Sequence, residues 1–231
     1  MGQATVKLFD WAPSPFSLKV RAILEYKGVP FTRTSVFQPK WLLEVRRRGK
    51  VGKVPALEID GTLFVDSTDI AYEIERRFPA PPVIPGQPRE RGLCHALEEW
   101  SDESLYFIGL YYQWLDPDGR KLVPQAFGSN LYGRMVYRLF LRRVTGQVRG
   151  QGTSRKQPEH VRSDLRRHLE AIDALLQDSP FLLGAQPYLC DFAVLGQLVY
   201  LGRTPAGSRH LADHDAIKRY LDRMKNLRRT P

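Results

Sequence analysis

Eleven residues, FPAPPVIPGQP at 78–88, carry five prolines and fix where this chain can change its architecture. Proline has no N–H to give to a helix or sheet and bars the helical region to the residue before it, so a run this dense ends regular structure. The two sides of the run read differently. Before it, short apolar segments alternate with helical patterns; after it, apolar residues recur at helical spacing almost to the end. A chain of 231 residues is long enough for two modest domains, each with its own core. The expected division is 1–80, a linker over 81–89, and 90–231.

In the first part, VKLFDW (6–11) predicts a strand and 17–27 a helix that ends at Gly28, a natural C-cap. VPFTRTSV (29–36) alternates as a strand, and 41–47 reads as a short helix. VPALEIDG and TLFVD (54–66) predict two strands joined by an Asp-Gly turn, and a helix starts at Asp66 or Ser67. The order β-α-β-α-β-β-α describes a mixed sheet flanked by helices, an α/β unit. Beyond the linker, helices are predicted over 90–115, 124–144, 158–177, 191–201 and 213–226, with a polar, mobile connector over 148–157.

Composition narrows the functional classes. Cys94 and Cys190 form no metal-spaced or Cys-x-x-Cys pattern, which fits two small buried apolar residues in a reducing, cytoplasmic setting. No stretch approaches the roughly 20 apolar residues that cross a bilayer, so no membrane span is expected. The start MGQATVKLFDWAPS has no secretory pattern, and Val6 stands where an acylation signal has Ser or Thr. Of the net charge of +10, the segment 134–168 supplies most, with ten Lys or Arg residues against two acids. No aromatic-interleaved ribbon accompanies it, so a solvated helix face is expected rather than a nucleic-acid footprint.

Three local features carry chemistry. In PSPFSLKVR (13–21), Ser14 suits a helix N-cap and Pro15 the first helical position. The free amides and positive dipole end of that turn attract an anion, and a hydroxyl donating to a thiolate lowers the thiol pKa. Val54-Pro55 enters a strand, where proline belongs at the edge or the first residue; a cis bond there presents the preceding backbone for pairing with an extended ligand. Asp66 and Ser67 open a helix, where a carboxylate takes an amine while the hydroxyl and helix amides take an acid.

In this order and spacing the three features resemble the glutathione transferase superfamily, along essentially the whole chain. FDWAPSPFSLKVRAILEYKGVPF (9–31) is most similar to tau-class and omega-like members, in which Ser or Cys precedes Pro-Phe. The resemblance implies a thioredoxin-like α/β domain followed by an all-α domain, with glutathione as co-substrate and no metal. It implies that Ser14 is the catalytic serine at the glutathione sulfur, with Ser17 a weaker candidate. Lys40 and Lys53 would reach the glycyl carboxylate, Val54 would pair with the cysteinyl backbone ahead of cis-Pro55, and Asp66 with Ser67 would hold the γ-glutamyl group. The chain departs from the pattern at Gly49-Lys50, where Asn-Pro is usual, and at Asp66, where Glu is commoner. In FLLGAQPYLCDFAVLGQL (181–198), Tyr188 stands where Ser or Thr caps a core helix, which leaves Asp191 to cap it.

The implied activity is conjugation of activated glutathione to a hydrophobic electrophile, or reduction with it. Etherase or dehalogenase chemistry, and a non-catalytic carrier or interaction module, are the alternatives. A serine rather than a cysteine at 14 disfavours thiol–disulfide exchange. The helix after the linker is rich in aromatics, and Tyr106, Tyr111 and Trp114 are expected to line the electrophile pocket. A homodimer is expected, with Arg76 and Arg77 meeting Glu98, Glu99, Asp102 or Glu103 of a second copy around Phe78 or Trp100.

Overall fold

The computed structural model describes residues 4–36, 39–49, 53–123, 127 and 130–227. The first part runs β1 (Val6–Asp10), α1 (Pro15–Tyr26), β2 (Thr32–Ser35), α2 (Pro39–Gly49), β3 (Ala56–Ile59), β4 (Thr62–Val65) and α3 (Ser67–Arg77). The sheet order is β2-β1-β3-β4, with β1 parallel to β2 and antiparallel to β3, and β3 antiparallel to β4. Period-two alternation places the side chains of β1. Leu8 joins the main core with Val20, Leu57 and Ile70, whereas Phe9 turns to the other face against Trp41 of α2, ring centroids 5.8 Å apart. Asp60 and Gly61 both take positive φ (48° and 80°), the twist that a two-residue hairpin turn needs.

The registers Phe9↔Ala56 and Ala56↔Val65 gather one end of the sheet. The exit of β1 toward Ser14, the entry to β3 at Pro55 and the exit of β4 at Asp66 all lie there. The Val54–Pro55 bond is cis, as is Ala80–Pro81 in the proline run.

The second part is helical: α4 (Pro88–Trp100), a π-helical turn (Ser101–Leu105), α5 (Tyr106–Trp114), α6 (Pro117–Leu122), α7 (Leu131–Gln151), α8 (Pro158–Leu175), α9 (Leu189–Leu201), α10 (Pro205–Ala212) and α11 (Asp215–Leu227). Helix α9 is buried from Leu189 to Leu198, mostly apolar, with Asp191 and Gln197 as its buried polar residues, as a central helix requires. It lies against the start of α1: a Cβ on Gly196 would stand 2.5 Å from the carbonyl oxygen of Pro15. Asp191 ties the entry to α9, its two carboxylate oxygens accepting from the N–H groups of Tyr188 and Leu182, each at 2.9 Å. The cap expected of Asp191 is therefore made from inside the helix. Burial pushes its carboxyl up to about 6.

Several boundaries differ from the sequence expectation. Helix α7 begins at Leu131, capped by Asn130 at 2.7 Å from Gly133 N, and the expected start at 124 lies outside the described residues. It runs on to Gln151, so the first residues of the supposed connector are helical. Val144 and Val148 bury one face of α7, which outweighs the polar residues between them. Helices α6 and α10 go beyond the helices expected from the sequence; each is short and opened by Pro after an Asp116 or Thr204 cap. The basic run lies outward, with Arg134, Arg138 and Arg142 exposed along α7 and Arg162 and Arg166 along α8. Among the described residues no helix is long and apolar enough to cross a membrane.

Candidate functional site

Ser14 caps α1. Its Oγ accepts from Ser17 N at 3.3 Å, its own N–H donates to Trp11 O at 2.8 Å, and Pro15 fills the first helical position. Because Oγ acts as acceptor in that bond, its proton remains available to donate to an anion held over the helix end. Ser17, the weaker candidate, is fully buried, and its Oγ accepts from Trp11 N at 3.3 Å. It braces the β1–α1 loop. Both serines are buried, Ser14 at 5% and Ser17 at 0% exposed.

At the same end of the sheet, Asp66 adopts a positive φ of 74° and its Oδ1 accepts from Thr68 N at 3.0 Å as the N-cap of α3. A non-glycine residue in that conformation is uncommon and clusters at ligand sites. Ser67 is buried beside it, Val54 is half-buried before Pro55, and Lys53 is exposed. Lys40 is exposed on the first turn of α2, its Nζ 4.8 Å from the centre of the Trp41 ring. Of the departures, Gly49 closes α2 against Val65 and Lys50 lies outside the described residues.

One participant escaped the sequence reading. Lys19, on the inward face of α1, is 1% exposed. Its Nζ donates to Ser67 Oγ at 3.4 Å, Thr68 Oγ1 at 3.2 Å, Asp102 Oδ2 at 2.8 Å and Glu98 Oε1. Thr68 also donates to Glu98, and Gln197 Nε2 donates to Asp102 Oδ1 at 3.1 Å. One ammonium therefore ties α1 and the start of α3 to α4, the π-helical turn and α9. Burial pulls the Lys19 ammonium down, but Asp102 and Glu98 outweigh it and raise its pKa overall. Burial pushes the Asp102 carboxyl up to about 6 in spite of Lys19. Nothing local in the sequence marks Lys19, because its partners stand 48 to 83 residues away.

Glu98 bears on two other features. With His95 and Glu99 its ligand atoms fall within 4.8 Å of one another, a spacing that a cation would suit. Its Oε1 accepts from Lys19 and Thr68, and its Oε2, buried 3.9 Å from His95 Nδ1, accepts no hydrogen bond among the described residues. Glu98 and Asp102 are likewise inside the protomer, so they are not available to meet Arg76 and Arg77 of a second copy. Those arginines hold Glu73 at 2.7 and 2.6 Å.

Beside Ser14 opens a cavity of ≈ 360 Å³. Its wall on the sheet side is Trp11, Ala12 and Pro13, the three residues that precede Ser14; its far side is made by Trp114, Phe127 and Tyr200. Trp114 Nε1 donates to Tyr200 Oη at 2.9 Å, which fixes both rings. The expected aromatic trio is therefore split. Tyr106 does not line this cavity: it packs edge-on to Phe16 at 4.7 Å, and burial pushes its hydroxyl up to about 12. Tyr111 does not line it either, and packs on Tyr112 at 5.6 Å. All three lie on α5, where a spacing of about 100° per residue points the three rings in different directions; upstream, the π-helical turn has Tyr106 N bonded to Ser101 O rather than to residue 102.

The chain belongs to the glutathione S-transferase family. The model of that family's N-terminal domain matches residues 8–82, and the model of its C-terminal domain matches 136–223. The isoprene-epoxide–glutathione S-transferase of Rhodococcus sp. (strain AD45) is 24% identical over 92% of this chain and 91% of its own length. Glutathione S-transferase U2 of Arabidopsis thaliana is 31% identical, over 46% of this chain and 48% of that protein. Among solved structures, the beta-etherase LigF from Sphingobium sp. strain SYK-6 superposes with a TM-score of 0.70 at 19% identity, covering 96% of this chain and 98% of that one. The thioredoxin-like sheet followed by an all-helical part is the fold this chain shares with LigF.

Proposed function

We propose that the protein is a glutathione transferase in which Ser14 activates the glutathione sulfur for attack on an apolar electrophile in the cavity behind Trp11. One observation carries this reading: Ser14 caps α1 with its hydroxyl proton uncommitted, and the three residues before it form the cavity wall. In the proposed step, the Ser14 hydroxyl and the helix end stabilise the thiolate. The sulfur forms a bond to an electrophilic carbon, the bond from that carbon to its leaving atom breaks, and an oxygen leaving atom takes a proton from water. A strained or activated C–O bond is favoured as the target by two relatives that act on an epoxide and an ether. The step draws on glutathione as co-substrate and needs no metal.

On this reading Lys40 and Lys53 face the glycyl carboxylate, Val54 pairs with the cysteinyl backbone, and Asp66 with Ser67 takes the γ-glutamyl end. The division into 1–80, 81–89 and 90–231, a cytoplasmic location and a homodimer belong to the same proposal. Retention on immobilised glutathione, followed by conjugation of an apolar epoxide such as styrene oxide, tests it. Retention with turnover supports the enzyme; retention without turnover of epoxides, aryl ethers or aryl halides supports the carrier reading; failure of retention removes both.

A further inference from the structure

The cavity beside Ser14 has one cation at its mouth, Arg203, which follows α9. Its Nη1 donates to Pro13 O at 2.6 Å, which anchors the guanidinium against the wall next to the reacting end of the site. In a guanidinium the opposite edge, Nε and Nη2, presents two parallel N–H groups that match a carboxylate. Among the described residues nothing accepts from that edge, and no carboxylate stands within ion-pair reach of Arg203. The acid nearest in role, Asp10, is already shared by Arg21 and Arg33, each at 2.9 Å. Arg203 is an exposed residue whose guanidinium lies against the cavity; contact with the protein and the nearby Arg21 hold its pKa below the ordinary arginine value, against a smaller upward pull from Tyr200. The rest of the lining is aromatic or aliphatic apart from Gln113 and the Tyr200 hydroxyl, which already accepts from Trp114. A cavity with apolar walls and one unpaired fork at its rim fixes a ligand by both ends.

We propose that this cavity takes aromatic electrophiles that carry a carboxylate, and that Arg203 is the residue that selects them. The proposal rests on the transferase reading for its chemistry but not for its binding. The positive balance of the whole chain, +10, draws such a ligand toward the site.

The test is calorimetric titration of the full chain with biphenyl-4-carboxylate and with its neutral counterpart biphenyl-4-carboxamide, neither of which reacts with glutathione. The parent is expected to bind the carboxylate about 10-fold tighter or more, as a charge-assisted bidentate pair should. Arg203→Met should abolish that preference while leaving the carboxamide within about 3-fold of the parent, and Arg203→Lys should keep part of it. Raising salt on the parent should narrow the gap, a readout that needs no variant to fold. Equal affinity in the parent, no binding of either compound, or a preference that survives in Arg203→Met overturns the proposal. Failure to conjugate glutathione would sink the transferase reading and leave this one standing, so the two fail separately.

Discussion

Replacing Lys19 by Met keeps most of the side-chain volume and removes one ammonium from the interior. Lys19 is 1% exposed and Glu98 0%, so solvent cannot replace the lost charge. After the change the Glu98 and Asp102 carboxylates share a dry site with only the Thr68 hydroxyl and the Gln197 amide as donors. Removing one partner of a buried pair costs about 3–5 kcal/mol, chiefly because the other charge stays behind. A total stability of about 5–15 kcal/mol makes that a large fraction. Urea unfolding of Lys19→Met should show a midpoint lowered accordingly with an unchanged slope. Adding Glu98→Gln to Lys19→Met should recover about 1 kcal/mol or more, since it deletes the stranded charge. The same variant strips a donor from Ser67 and Thr68, so glutathione affinity should fall while apolar ligands in the cavity bind as before. A loss under about 1 kcal/mol would place the cluster among ordinary exposed pairs and refute the reasoning.

Three further outcomes follow. The Asp102 carboxyl, pushed up to about 6, keeps a proton that the unfolded chain gives up near 3.9, so this group makes stability fall as pH rises from about 4 to about 6. Asp102→Asn should flatten that part of a thermal-unfolding pH profile, and Asp191, also at about 6, should supply the slope that remains; an unaltered profile contradicts the assignment. Gly196→Ala forces a methyl to within 2.5 Å of Pro15 O and should cost about 1–3 kcal/mol, whereas Gly150→Ala, with open space at its Cβ, should be neutral or stabilising by thermal unfolding. For the proposed dimer, Phe78 and Trp100 are half-buried against the core while Tyr72 on α3 and Leu93 on α4 are exposed; light scattering should give twice 26.5 kDa in low and high salt, and 26.5 kDa in both would refute association.

What the residues disclosed and what they hid divide along physical lines. The β-α-β-α-β-β-α order was legible because each strand alternates or is punctuated by Gly or Pro, and because Gly28 and Asp60-Gly61 sit where a positive φ is needed. Ser14, Pro55 and Asp66 were legible because capping and proline chemistry act locally. The facing of the α5 aromatics was hidden, because aromatic density along a helix does not say which neighbours each ring meets: Trp114 lines the cavity, whereas Tyr106 packs on Phe16 and Tyr111 on Tyr112. Lys19 was hidden for the opposite reason. Its partners stand 48 to 83 residues away, so only the fold brings them together. Arg203 likewise reaches the site across 190 residues, through α9 packing on α1.

The central claim is that Ser14 holds the glutathione sulfur as a thiolate, and ultraviolet absorbance of the bound thiolate against pH tests it most directly. In the parent the bound thiol should titrate well below its ordinary value of about 8.5, and in Ser14→Ala the midpoint should return toward that value while conjugation slows by about 10²-fold or more. Coincident titrations of the parent and Ser14→Ala, with equal rates, would contradict the account.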